Sequence, residues 1–466
     1  MQTTRLAGVG GAAAGVPGGG GEGRGGLAGL FPNVSGLGNY AGGMASIPFS
    51  LPLIDDDVVA EVVDALTNTG WLTSGPKVRQ LEDEISALTG TPVLCVNSWT
   101  SGAMLMLRWF GVGPGDEVIV PAYTYAATAL SAMNLGAKVV MVDVLDDFTI
   151  DPDQLRRAIT PDTKAVLPVD IGGLPAHYDE IFKVLDLPEA QDLWTPVNAR
   201  QEQLDRPLVL ADAAHSIGGM YHGRPVGQAA DATVFSLHSV KNVTTGEGGA
   251  ICLALPEPFD NAAEIPGLRA LALNGQSKSA FEKNQVGGWR YDIAQQGLKV
   301  NMPDVLAAIG LAQIRKYEGQ LLPDRKRITD RYDEAFAQRP WAIRPRFEDA
   351  ERVSSRHLYQ LRIAGASEAE RDAIIAAISE RGVAVNVHYI PMASLTLFRE
   401  LGYRASDYPR TVELYENEIT LPVYNSLTDE QVDTVIDAVV AAVDEVLGEG
   451  HMRTPNADAS DQGAGA

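Results

Sequence analysis

A chain of 466 residues with 45% hydrophobic content has enough apolar mass for one to three globular domains. No run approaches the roughly 20 uninterrupted apolar residues of a membrane span, so no membrane segment is expected. The formal net charge of −23 opposes a nucleic-acid partner, but leaves room for a small phosphate-bearing molecule held by local donors.

Residues 1–44 are dominated by Gly and Ala, with few large side chains. A stretch such as G-V-G-G-A-A-A-G-V-P-G-G-G-G cannot offset its ordering entropy and is expected to be a disordered tail. Met44 is an alternative candidate start. No basic region precedes an apolar one, so no secretory signal is read, and the cytoplasm is the expected location.

From 45 to 300 short apolar runs recur between turn residues: P-V-L-C-V, D-E-V-I-V-P, A-K-V-V-M-V-D, K-A-V-L-P-V-D, P-L-V-L-A-D, A-T-V-F-S-L and G-A-I-C-L. Each suits a strand buried on both faces. Helical stretches at 101–110 and 125–135 lie between them. The pattern predicts an α/β domain with a mostly parallel central sheet and helices on both faces. Cys95 and Cys252 sit inside apolar runs and read as buried small hydrophobes. Two thiols cannot build a four-thiolate cluster or a disulfide framework. Residues 178–207 read as a mixed helical excursion. From 301 to 450, helices at 303–318, 367–380 and 428–447 flank strands at 357–363 and 383–388. This predicts a smaller α+β domain, followed by a second disordered tail over 451–466.

Four segments bring chemistry to strand ends. N-S-W-T-S-G-A (97–103) opens a helix. First-turn N–H groups with the Thr100 and Ser101 hydroxyls can cradle an anion, although Ser98 or Thr100 can also serve as an ordinary N-cap. P-A-Y-T-Y-A-A-T (121–128) follows a strand, at the carboxyl end where open α/β sheets bind ligands. Tyr123 or Tyr125 can face a ring there, or both can be core aromatics. L-V-L-A-D-A-A-H-S (208–216) ends a strand on Asp212, with His215 three residues on. A carboxylate in that position needs a cation or a capping role. F-S-L-H-S-V-K-N-V-T-T-G-E-G-G (235–249) ends a strand on Ser236 and sets Lys241 in a turn. Singly, each has an ordinary structural explanation. Together they meet the needs of pyridoxal phosphate: a lysine amine, a carboxylate for the ring nitrogen, a stacking face and a phosphate site. No metal is called for.

These segments resemble the DegT/StrS sugar aminotransferases, enzymes of fold type I that use pyridoxal phosphate. The resemblance covers roughly residues 48–447. It includes G-W-L-T-S-G-P (70–76), G-P-G-D-E-V-I-V-P-A-Y-T-Y (113–125), D-A-A-H (212–215), the 235–249 stretch, G-L-K-V-N-M-P-D (297–304), S-S-R-H-L-Y (354–359) and V-H-Y-I-P (387–391). It implies that Lys241 is the Schiff-base lysine and proton carrier, and that Asp212 is the partner of the pyridinium. His215 would lie near the ring hydroxyl, and Tyr125 would stack on the ring. Thr100, Ser101 and Ser236 would hold the phosphate. Asn301 would reach the phosphate in a neighbouring subunit, implying a homodimer with shared active sites. The implied reaction moves an amino group from an amino acid, L-glutamate, to a nucleotide-linked keto-sugar, a 4-keto-hexose. A cyclitol aminotransferase shares the catalytic set. A sugar dehydratase is opposed by Lys241 and the cysteine count, and a non-catalytic regulatory protein by the complete site. Trp99 replaces a smaller residue, Asp170 stands where the family carries a histidine, and the 180–207 segment is longer than in many members. His238 receives no role.

Overall fold

The computed structural model describes residues 46–448 apart from 279–282, 284, 285, 287 and 288. Both expected tails and the candidate start at Met44 lie outside the described residues. The strands in chain order are β1 (Val93–Val96), β2 (Glu117–Pro121), β3 (Lys138–Val142), β4 (Thr163–Val166), β5 (Leu208–Asp212), β6 (Met220–Tyr221), β7 (Arg224–Pro225), β8 (Ala232–Ser236), β9 (Gly249–Leu253), β10 (Ala342–Ile343), β11 (Arg352–Val353), β12 (Tyr359–Ile363) and β13 (Glu418–Leu421).

The seven apolar runs form the seven strands of one sheet, in the order β1-β9-β8-β5-β4-β2-β3. Strands β3, β2, β4, β5 and β8 pair in parallel, and β9 runs antiparallel to both β8 and β1. Six strands therefore deliver their carboxyl ends to one edge, where β9 begins. Side chains alternate between two cores, as the two-residue period of a strand requires. Val118, Val120, Leu208 and Leu210 meet the helix Trp99–Phe110, while Ile119, Val209 and Ala211 meet Tyr178–Leu185 on the opposite face. Cys95 and Cys252 are buried free thiols.

A second sheet, β10-β12-β13, is antiparallel. Its Tyr359, Leu361, Ile363, Ile419 and Leu421 pack on the helices Glu368–Glu380 and Asp429–Leu447. Ile47 enters that same core and bridges Val383. Both helices begin with reciprocal capping boxes, at Ser367/Glu370 and Thr428/Gln431, which satisfy first-turn donors and fix the starting points. The helix Asp304–Ile314 packs against Pro76–Thr89. Its Asp304 carboxylate accepts from the backbone of Gly75 (2.8 Å) and Val78 (3.0 Å).

Two expectations are refined. The strand expected at 383–388 is not formed; only isolated bridges Ile47–Val383 and Asn386–Thr420 occur. The His388 N–H donates instead to the Glu418 carboxylate at 2.9 Å, which removes it from a ladder. The 178–207 excursion resolves into three short helices, Tyr178–Leu185, Pro188–Leu193 and Ala199–Leu204. Among the described residues no helix is long and apolar enough to cross a membrane.

Candidate active site

A cavity of about 700 Å³ opens at the carboxyl edge of the large sheet, where ligands bind in open α/β folds. Thr100, Tyr125, Asp212, His215, Ser236 and Lys241 all line it. Ser101 and Asn301 do not. The Ser101 hydroxyl bonds Ser98 Oγ at 2.9 Å. The Asn301 amide donates to Thr73 Oγ1 (3.2 Å) and Ser74 Oγ (2.9 Å), beside a different cavity.

The first wall is the start of the helix Trp99–Phe110. Ser98 is its N-cap, its hydroxyl accepting from Ser101 N at 3.0 Å. The backbone N–H groups of Trp99 and Thr100 lie in the first turn, ahead of any intrahelical acceptor, at the positive end of the helix dipole. Trp99 itself is buried against the core without displacing the cap. β9 presses close to this turn. A side chain at Gly249 would place Cβ 2.7 Å from the Ser98 carbonyl, so only glycine permits the contact.

The lysine loop is closed by short-range bonds. Leu237 N donates to Gly248 O at 2.9 Å, Thr245 N to Leu237 O at 2.8 Å, and Lys241 N to His238 O at 2.9 Å. Gly246 takes a left-handed φ of 80° at the turn. Next to Lys241, Asn242 is buried and donates to Tyr317 Oη (3.2 Å) and Ser355 O (2.9 Å). The loop is thereby tied to the layers on either side. Burial pulls the Lys241 amine down to about 8; the Asp212 carboxylate opposes that fall, and Arg325 adds to it. Such an amine is partly neutral near physiological pH, as a nucleophile or proton carrier requires.

Asp212 ends β5 and is buried. Thr128 donates its hydroxyl to Asp212 Oδ2 at 2.7 Å, and Thr128 in turn contacts the Thr124 hydroxyl at 3.0 Å. Ala214 N donates to Oδ1 at 3.3 Å. Burial pushes the carboxyl up to about 7; the Thr128 and Ala214 bonds and Lys241 oppose the rise, and Asp170 reinforces it. A buried carboxylate with one strong donor and a raised pKa is suited to a cationic partner, which would restore its ionised form.

His215 is held from two sides. Gly172 N donates to Nδ1 at 3.2 Å, and Nε2 meets the Tyr389 hydroxyl at 3.0 Å. The Gly172 bond fixes Nδ1 as the acceptor, so the neutral ring carries its proton on Nε2. Its ring lies 4.4 Å from that of His357, whose Nδ1 faces Asn242 Oδ1 at 2.8 Å. Burial, followed by Lys241 and His388, holds His215 well below the ordinary histidine range. Tyr125 is exposed at the cavity, its ring 5.8 Å from that of Tyr389.

Asp170, the departure noted in the sequence, lies in the wall and does not line the cavity. It accepts from Ser216 Oγ (2.6 Å), Tyr178 Oη (2.7 Å) and Ala176 N (2.8 Å). Burial pushes it up to about 6 against these bonds. Thr128, Asn242, His357 and Tyr389 received no role from sequence, although all four fall inside the motifs quoted above. The motifs were visible; the contacts that give those residues their work are tertiary.

Pyridoxal phosphate fits this donor set. Lys241 supplies the amine and Asp212 the carboxylate. Tyr125 offers a ring face, and the first turn at Trp99 and Thr100 with Ser236 offers donors to a phosphate.

The model of the DegT/DnrJ/EryC1/StrS aminotransferase family matches residues 53–440. The spore coat polysaccharide biosynthesis protein SpsC of Bacillus subtilis is 37% identical over 401 residues, covering 84% of this chain and 96% of SpsC. Spr1654 of Streptococcus pneumoniae, assigned to the sugar aminotransferases and solved in its PMP form, superposes with a TM-score of 0.82 at 42% identity. That match covers 86% of this chain and 100% of Spr1654. The aminotransferase TlmJ of Streptoalloteichus hindustanus gives a TM-score of 0.73 at 26% identity, over 86% of this chain and 99% of TlmJ.

Proposed function

The chain belongs to the DegT/DnrJ/EryC1/StrS aminotransferase family and is a pyridoxal-phosphate-dependent sugar aminotransferase, and on that premise we propose that it moves the amino group of L-glutamate onto a nucleotide-linked 4-keto-hexose. The observation that carries the reading is the convergence of Lys241, Asp212, His215 and the Trp99–Phe110 helix start on one cavity. Bound pyridoxal phosphate supplies the electron sink for the carbanion formed at the donor's α-carbon.

The residues divide the remaining work. Lys241 Nζ takes the proton from the donor's α-carbon and carries it onward; its lowered pKa keeps a neutral fraction for that task. Asp212, aligned by Thr128, holds the ring nitrogen in its cationic form. Neutral His215 donates an Nε2–H hydrogen bond to the Tyr389 oxygen, which leaves the tyrosine hydroxyl free to donate into the cavity. Thr100 and Ser236 hold the phosphate, and Ser101 acts through Ser98 at the cap.

Among the described residues, Lys241 is the only lysine or arginine that lines the cavity. The phosphates of a nucleotide-linked acceptor therefore need cations from elsewhere. A second copy of the chain supplies them in this reading, and the position of Asn301 outside its own cavity suits a homodimer with shared sites. A cytoplasmic location belongs to the same proposal. Incubating the cofactor-loaded protein with L-glutamate and a panel of keto-sugars, free and nucleotide-linked, tests it. The expected result is 2-oxoglutarate together with an amino sugar from a nucleotide-linked 4-keto-hexose. Amination of a free inosose with no nucleotide sugar accepted would replace this reading with the cyclitol one.

A further inference from the structure

A second cavity, of about 460 Å³, lies between the two sheets and shares Leu358 with the catalytic one. Arg362, on β12, faces it. Arg362 is 9% exposed, and its Nε donates to Asn417 Oδ1 at 3.0 Å. Among the described residues it has no ion-pair partner. A guanidinium this deeply buried is costly unless an anion meets it.

Arg344 and Arg346 line the same cavity and are only loosely paired, 4.0 Å from Asp333 and 3.9 Å from Asp349. The two carboxylates that line it are committed elsewhere. Asp146 pairs with Arg410, and Asp147 with Arg352 (2.8 Å) and His177 (3.3 Å). Phe148 and Phe347 contribute apolar wall. In a chain of net charge −23, three guanidiniums gathered at one cavity are a local exception.

We propose that this cavity is a binding site for a small phosphate-bearing organic anion, held by Arg362 at its base with Arg344 and Arg346, and separate from the catalytic cavity. Three guanidiniums exceed the charge of one carboxylate and are enough to balance the roughly −1.5 to −2 of a phosphoryl group, whose oxygens the arginine fork recognises in pairs. The aromatic walls suit the organic part. The site is wired to the chemistry by two hydrogen bonds. Gly172, in its lining, donates to His215 Nδ1 at 3.2 Å, and Gln360, also in its lining, donates to the His388 carbonyl at 2.8 Å. Occupancy bears on two of the four histidines that line the catalytic cavity, His215 and His388.

Titration calorimetry of the cofactor-loaded protein with inorganic pyrophosphate tests the assignment, because the cofactor's own phosphate position is then filled. One saturable site is expected. The double variant Arg344→Ala/Arg346→Ala, changed at exposed side chains, should weaken binding about tenfold or more, since hydrogen bonds to charged groups are among the stronger ones. Arg362→Gln should abolish binding, and Arg362→Lys should keep part of it. No saturable heat would overturn the proposal. So would unchanged affinity in the double variant, which would place the probe in the catalytic cavity.

Discussion

The seven-stranded sheet and the three-stranded β10-β12-β13 sheet solve the problem of burial differently. In the seven-stranded sheet both faces of the central strands are mostly apolar, with Lys164 and Thr233 as buried polar exceptions inside β4 and β8, and Asp212 and Ser236 close β5 and β8 at the edge. In the three-stranded sheet only one face is apolar. The other carries Gln360, Arg362, Glu418 and Thr420, all buried. There each polar group needs a partner within the sheet or across from it. Glu418 accepts from His388 N and Thr420, and Arg362 donates to Asn417. The lesson is a division of labour. The apolar sheet gives an edge on which a few polar side chains are aimed, while the polar face lines the second cavity and holds His388, which lines the catalytic one. Changes to the reacting groups at the first edge, Lys241 and Asp212, should remove chemistry with little loss of stability; changes on the polar face should act on stability and its pH dependence rather than on rate.

The sharpest test is Lys241→Ala. Turnover should fall by at least about 10²–10⁴-fold, the usual share of a general acid–base group, while the melting curve stays close to that of the unaltered protein. Wild-type rates in this variant would end the assignment. Asp212→Asn should follow, with a loss on the order of 10²-fold or more in kcat, as expected for removal of an electrostatic stabiliser. It should also move the Lys241 amine. The carboxylate holds that amine up against burial, so the pH midpoint of cofactor uptake by the cofactor-free protein should drop below about 8 in the variant. A midpoint that rises would contradict the electrostatics drawn here.

Thr128→Val probes the aim of the carboxylate without touching it. Asp212 Oδ2 loses its 2.7 Å donor, and about 1–3 kcal/mol should be lost where a buried acceptor is left unsatisfied. Cofactor affinity, followed by equilibrium dialysis, should weaken with it.

The smallest effect is expected on the other sheet, from Glu418→Gln. Burial raises the Glu418 carboxyl from its ordinary 4.5 to about 8, against the bonds from Thr420 and His388 N. The folded state therefore holds a proton that the unfolded chain releases above about 4.5, and this group's stabilisation is lost as pH rises through about 8. Urea midpoints of the unaltered protein should decline across that window, and the glutamine variant should show a flatter decline with kcat little changed. A large loss of rate in Glu418→Gln would break the division between the two sheets.

The sequence by itself determined the large sheet, because each of its strands is a contiguous apolar run, and a doubly buried strand has a signature that needs no partner to be recognised. It also placed Asp212 and Ser236 at the ends of two of those runs and Lys241 in the loop after the second. The 383–388 segment departs from its expected strand for the complementary reason. Its apolar pattern suited a strand, but the Glu418 side chain claims the His388 N–H from 30 residues away. Tertiary structure alone decided that Thr100 rather than Ser101 faces the cavity. It alone set Tyr389 against His215, 174 residues apart, and left Arg362, among the described residues, with no carboxylate in ion-pair contact beside an open space. Periodicity records which face of an element is buried. Which polar groups meet across two buried faces depends on how the layers dock, and no local run of residues encodes that.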